Sequence, residues 1–210
     1  MILSELSVLD SYMWLFFFFM FVYLQYILDV NNMFQGNYMR LLFVHVPLVW
    51  LSLLFYLLLL AGSFFMIIYS YYLLYLINIV LSLLYVIVTF VSILTGSIWG
   101  YVAWGSYFEM DLRLITMMVM NISVLLYLFL LYLGQIRLGG YYMIFIGINL
   151  IVIKYCMYWF SSIHQFSSVN IVGSSVYYSY LYVLFISFIY FIWCLVWLFR
   201  LIVKEVMVGS

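Results

Sequence analysis

Runs of about twenty apolar residues recur along this chain, and nothing else in it constrains the fold as strongly. A helix needs about twenty residues to cross a hydrocarbon core of roughly 30 Å. Six stretches approach or reach that length: 12–28, 48–68, 74–94, 114–133, 141–158 and 180–199. Six basic and six acidic residues are all the charge in 210 residues, so only 6% of the chain is charged. A soluble domain carries about 25%, and so few charges cannot cover a water-facing surface. The predicted fold is an all-α integral membrane protein of about six transmembrane helices. It forms one polytopic domain over residues 1–210, with no internal repeat or linker. A membrane β-barrel would show segments of about ten residues with alternating polarity, and these runs do not alternate. Nucleic-acid binding is excluded by zero net charge and the lack of a basic cluster.

An even number of spans puts both termini on one side. That side then carries Arg137, Arg200 and Lys204, while the opposite loops, 29–47, 95–113 and 159–179, carry Arg40 and Arg113. Counting Lys and Arg alone gives three against two, a margin by which the positive-inside rule favours the termini inside; the count ties if Lys154 belongs to the opposite side. The asymmetry in chemistry is larger. The three opposite loops hold both histidines, the single proline and the densest group of Trp, Gly and acidic residues. Loops carry function more often than the elements they join, so the working face is the side opposite the termini.

Composition bears on origin. Tyr occurs 23 times and Phe 20 times, but alanine only at Ala61 and Ala103 and proline only at Pro47. Such a bias points to an AT-rich coding sequence, from an organelle genome or an AT-rich bacterium. Residues 1–11 contain no Lys or Arg, unlike a cationic signal peptide or an Arg-rich presequence. Cys156 and Cys194 lack a CxxC spacing and read as two buried, apolar-like thiols.

His45 and His164 are the only histidines. His45 stands two residues before Pro47, where the second span is expected to begin, because proline suits the first helical turn. His164 lies just past the fifth span, on the same face. Imidazole is the commonest metal ligand and a common haem ligand. Two histidines from two interfacial loops therefore offer axial ligands to one haem iron. The plainer alternative is that each sits at the interface and bonds to backbone.

The middle loop, 95–113, pairs Trp99 with Gly100 and Trp104 with Gly105, and adds Tyr107 and Phe108. Glycine permits close backbone approach, and the rings form a shelf for a flat apolar macrocycle. The alternative is an interfacial aromatic belt. Asp111 is the expected N-cap of the fourth span. Arg113 and Arg40 are suited to carboxylates such as haem propionates, or to phospholipid headgroups. Lys154, inside the fifth span, is expected to snorkel to the interface. No carboxylate lies deep in a span, so a proton relay lacks its usual parts.

Taken together, three stretches, 35–50, 99–114 and 154–169, resemble the CcmC family, haem-delivery membrane proteins of cytochrome c maturation in bacteria and some mitochondria. The resemblance covers about residues 35–199. Its most specific part is the tryptophan-rich signature of haem-handling proteins, Trp-Gly-x-x-x-Trp-Gly-x-x-Trp-x-Trp-Asp-x-Arg-Leu. Trp99, Gly100, Trp104, Gly105, Asp111, Arg113 and Leu114 match it. In the stretch where the family typically has tryptophan, this chain has Tyr107, Phe108 and Met110.

The resemblance implies six helices with both termini on the cytoplasmic or matrix side, and an outer platform for haem b. His45 and His164 would be its axial ligands. The platform would present haem to a haem chaperone of the CcmE type, which an ABC-type complex later releases. This is transfer rather than classical catalysis. The implied site is the mitochondrial inner membrane or, alternatively, a bacterial inner membrane. A different reading is a structural subunit of a respiratory-chain complex, derived from such a protein and no longer binding haem. The replaced tryptophans motivate it.

Overall fold

The computed structural model describes residues 39–69 and 71–159. The expected spans at 12–28 and 180–199, the outer residues 160–179 with His164, and Cys194 lie outside them. Among the described residues the regular elements are all α-helices: α1 (Met39–Tyr69), α2 (Tyr72–Trp104), α3 (Leu112–Tyr132), α4 (Ile136–Ile146) and α5 (Asn149–Trp159). Four segments are long and apolar enough to cross a membrane: Val44–Tyr69, Tyr72–Trp104, Leu112–Tyr132 and Ile136–Cys156. The last runs through α4, the turn at 147–148 and most of α5.

Two boundaries differ from those expected. The first concerns Pro47, which lies inside α1 rather than at its start. Residues 39–47, expected as loop, are helical. Proline removes the bond its N–H would give to the carbonyl four residues back. Within a packed membrane bundle, neighbouring groups offset that loss, and Pro47 is buried. The second concerns α2, which continues ten residues past the expected end at 94 and takes in most of the stretch read as the middle loop. Its 33 residues span about 50 Å at 1.5 Å per residue. The hydrocarbon core accounts for only about 30 Å, so α2 is longer than the span and at least one of its ends stands in the interfacial zone. Of the expected loop 95–113, only 105–111 is non-helical.

The helices pack in a chain of neighbours: α1 on α2 and α4, α2 on α3, and α3 on α4 and α5. Hydrogen bonds give the directions. His45 and Ser63 of α1 meet Ser92 and Asn78 of α2, so the two run antiparallel. Tyr75 and Asn78 of α2 meet Leu131 and Tyr127 of α3, again antiparallel. One end of the bundle therefore gathers the start of α1, the end of α2, the start of α3 and, after α4 runs back along α1, the end of α5.

The bundle has an apolar core, with Leu51, Phe55, Leu59, Met120 and Leu131 buried, and small polar side chains are set among them. Ser52, Ser63, Asn78, Ser82, Thr89, Ser92, Thr116 and Ser123 are buried, whereas Phe64, Phe65, Ile87, Phe90, Ile122 and Phe129 are exposed. Lipid tails are as apolar as leucine, so large apolar side chains are at home on the outer face too, and the helices are held by close packing together with interhelical hydrogen bonds. Asn78 is the centre of one such group. Its Oδ1 accepts from the Tyr127 hydroxyl at 3.1 Å, its Nδ2 donates to Leu74 O at 2.8 Å, and the Ser63 hydroxyl donates to that of Tyr127 at 2.9 Å. Three helices meet there. Nearer the middle, the Tyr56 hydroxyl donates to Ile146 O at 2.9 Å and ties α1 to α4.

Candidate functional site

The sequence-predicted residues that fall among those described lie at the end where α1 begins and α2 ends. His45 sits near the start of α1's membrane span, part-buried against α2. Its Nδ1 lies 2.8 Å from Ser92 O and 3.4 Å from the Thr95 hydroxyl. A carbonyl only accepts, so a neutral ring bonded in this way carries its proton on Nδ1 and its lone pair on Nε2, one of the two nitrogens through which imidazole ligates metals. The ring rests on the backbone of Gly96. A β-carbon built there would lie 2.6 Å from Cε1 and 3.0 Å from Nδ1.

One helical turn on, Gly100 plays the same part for an indole. A β-carbon at 100 would lie 3.1 Å from Cε3 of Trp104. Residues four apart share a helix face, so the His45 imidazole and the Trp104 indole cover consecutive turns of one face of α2. Trp99 meets Trp104 edge-on, with ring centroids 5.4 Å apart and planes at 69°. Edge-to-face packing of this kind is a favoured aromatic geometry.

Beyond Trp104 the helix stops at Gly105, whose φ of 83° is left-handed, and the Gly105 N–H closes on Tyr101 O. The chain then folds back. Tyr107 stacks on Tyr101 at 4.3 Å with planes 11° apart. The Ser106 hydroxyl donates to Glu109 Oε1 at 2.6 Å. Asp111 is buried and caps α3, its Oδ1 accepting from the Arg113 N–H at 2.9 Å. The expected N-cap is thus found at the expected residue. Tyr101, Trp104, Tyr107, Phe108 and Met110 remain exposed around this turn, forming an aromatic rim with one thioether.

Arg40 falls in the first turn of α1 and Arg113 in the first turn of α3, both at this end of the bundle. Lys154 is exposed on α5, near the face of Tyr155. Cys156 is buried, its thiol donating to Ile153 O at 3.3 Å. Among the described residues no three His, Cys, Asp or Glu side chains gather into a metal-binding cluster. A macrocycle that already holds its metal needs only axial donors and a flat surface, and His45 and the rings about Gly100 have those properties.

Sequence reasoning missed Ser92, Thr95 and Gly96. The signal was the four-residue spacing of Gly96 and Gly100. It is a helical face only if the helix continues past 95, and reading that stretch as a loop concealed it.

Comparison with known proteins agrees with the resemblance. Residues 4–209 match the family described as CcmC, heme exporter protein C. The chain is 30% identical over 176 residues to a cytochrome c biosynthesis ccmC-like mitochondrial protein of Marchantia polymorpha, covering 80% of this chain and 74% of that protein. It is 30% identical over 154 residues to heme exporter protein C of Bradyrhizobium diazoefficiens, covering 67% of this chain and 56% of the relative. With heme exporter protein C of Escherichia coli K12 it shares 29% over 147 residues, 64% of this chain and 57% of the relative. The match thus spans little more than half the length of the bacterial relatives. With nearly its whole length matched by the family, the chain belongs to the CcmC, heme exporter protein C, family.

Proposed function

We infer that this protein holds haem b at the outer face of a membrane and passes it on during the making of c-type cytochromes. The observation that carries this reading is the shared face of α2. There, over two glycines one helical turn apart, an imidazole whose Nδ1 faces a main-chain carbonyl and an indole lie along one helix face, at the edge of an exposed aromatic rim. His45 supplies one axial nitrogen, and His164, further along the chain, supplies the other. Two imidazoles make the iron six-coordinate and limit its side reactions. Trp99 and Trp104 wall the macrocycle, Gly100 and Gly105 let it approach the backbone, and Tyr107 and Phe108 extend the stacking surface. Asp111 holds the rim to α3, and Arg113 and Arg40 pair with the propionates. Haem leaves from the exposed rim to a haem chaperone of the CcmE type, which an ABC-type complex then releases.

The same reading has six spans with both termini on the matrix side, in the mitochondrial inner membrane. Relatives named as ccmC-like mitochondrial proteins in Marchantia polymorpha and Arabidopsis thaliana support that compartment, as does the alanine-poor composition.

An absorption spectrum of the detergent-purified protein, oxidised and dithionite-reduced, tests the reading. A low-spin b-type spectrum that is lost in the H45A/H164A double variant is the expected result. Wild-type spectra in both single variants would sink the ligand assignment. No haem in wild type after haem is supplied would favour the structural-subunit reading, for which the replaced tryptophans already speak.

A further inference from the structure

We propose that Gly96 and the main-chain carbonyl of Ser92 form a socket that sets the tautomer and ring plane of His45, which makes Gly96 a positioning residue for the axial ligand. This rests on the reading of His45 as an iron ligand and adds how its basicity is set.

The socket has two parts. The first is chemical. Ser92 O lies 2.8 Å from Nδ1. The Thr95 hydroxyl, also facing Nδ1, lies 2.9 Å from Val91 O and 3.0 Å from Ser92 O, either of which takes its proton. Ser92 O therefore requires Nδ1 protonated, and the Thr95 hydroxyl, its own proton given to either carbonyl, accepts from it as well. An imidazole held in this way keeps its Nε2 lone pair, and the Nδ1–H···O=C bond raises its basicity as a ligand. A more basic ligand stabilises the ferric state and lowers the potential of a bound haem.

The second part is steric. The three ring atoms Cε1, Nδ1 and Nε2 lie 2.6, 3.0 and 3.4 Å from where a β-carbon at 96 would sit. A ring in this position and any side chain at 96 exclude one another. Glycine inside a helix weakens it, and α2 accepts that weakness where the imidazole needs the space. Because the carbonyl belongs to the helix itself, no side-chain rotation can withdraw it. The ring plane is then tied to the axis of α2, whose next turn carries Trp104.

The test uses the full-length protein in detergent, with haemin as the titrant. In Gly96→Ala the methyl displaces the ring and breaks the bond to Ser92 O. The expected result is a fall of about ten- to a hundredfold in haem affinity, with a positive shift in the midpoint potential. On a His45→Ala background the same change is expected to cost no thermal stability, because the space is then empty. Wild-type affinity and potential in Gly96→Ala, with haem lost from His45→Ala, would overturn the socket and leave the ligand reading standing. Retention of the wild-type spectrum by His45→Ala would instead overturn the ligand reading. If Gly96→Ala does not fold, ¹⁵N-histidine NMR of the haem-free wild-type protein above the imidazole pKa decides the matter. An Nδ1–H tautomer at His45 supports the socket, and an Nε2–H tautomer refutes it.

Discussion

Gly100 and Trp104, four residues apart on α2, are folded onto each other, the indole Cε3 lying 3.1 Å from the position of a β-carbon at 100. The indole therefore lies back along its own helix rather than out from it, edge-on to Trp99. It does so on the face where His45 rests one turn earlier.

Gly100→Val pushes that indole away, since a branched side chain needs more room than a single methyl. One aromatic contact is worth about 0.5–1.5 kcal/mol, so haem affinity is expected to fall roughly two- to tenfold, with the low-spin spectrum retained. Haem titration reads the first quantity and the Soret band the second. A change of spin state would mean that Trp104 supports the ligands and not only the macrocycle.

Gly105 holds a φ of 83°, which costs most other residues about 1–2 kcal/mol. Gly105→Ala is expected to loosen the turn that stacks Tyr107 on Tyr101 and to weaken haem binding, whereas Gly105→Asn, which tolerates this backbone, is expected to be milder. Equal behaviour of the two variants in thermal melts and titrations would show that the turn does not need the left-handed backbone.

Asp111→Ala removes the N-cap of α3. The expected loss is about 1 kcal/mol of stability, and Asp111→Asn should lie within a few tenths of wild type. Unfolding in one detergent, compared across the three proteins, checks this. An Asn variant as unstable as the Ala variant would show that the charge of Asp111, and not its capping oxygen, is what matters.

Tyr127→Phe removes a hydroxyl that donates to Asn78 Oδ1 and accepts from Ser63. Interhelical hydrogen bonds in membranes average about 0.6 kcal/mol and reach about 1.7, so the expected loss lies in that range. Ser63→Ala combined with it should cost less than the sum of the two. Strict additivity would mean that the two hydroxyls do not act together.

Met110 is 82% exposed on the rim. Met110→Trp, which brings back the residue typical of the family there, is expected to leave stability within about 0.5 kcal/mol and to slow haem release. Measured as the rate of haem loss to apomyoglobin, an unchanged rate would show that this position does not touch the macrocycle.

How much of this was legible beforehand differs from element to element. Four of the expected spans are found because the apolar length needed to cross hydrocarbon is a local property of a segment. The Asp111 cap is local too, a short polar side chain before an apolar run. The extent of α2 past residue 94 was not legible. Thr95-Gly-Ser-Ile-Trp-Gly has neither apolar length nor helical periodicity, and two glycines there read as loop. Nor was the start of α1, where Pro47 reads as a first-turn residue. Bundle packing overrides both local signals. The meeting of His45 with Ser92 and Gly96, 47 and 51 positions apart in the chain, belongs to the packing of α1 against α2. Hydrocarbon thickness sets which residues must be helical. The rotation and sliding of one helix against the next are set by every contact along their length, and no single segment records that sum.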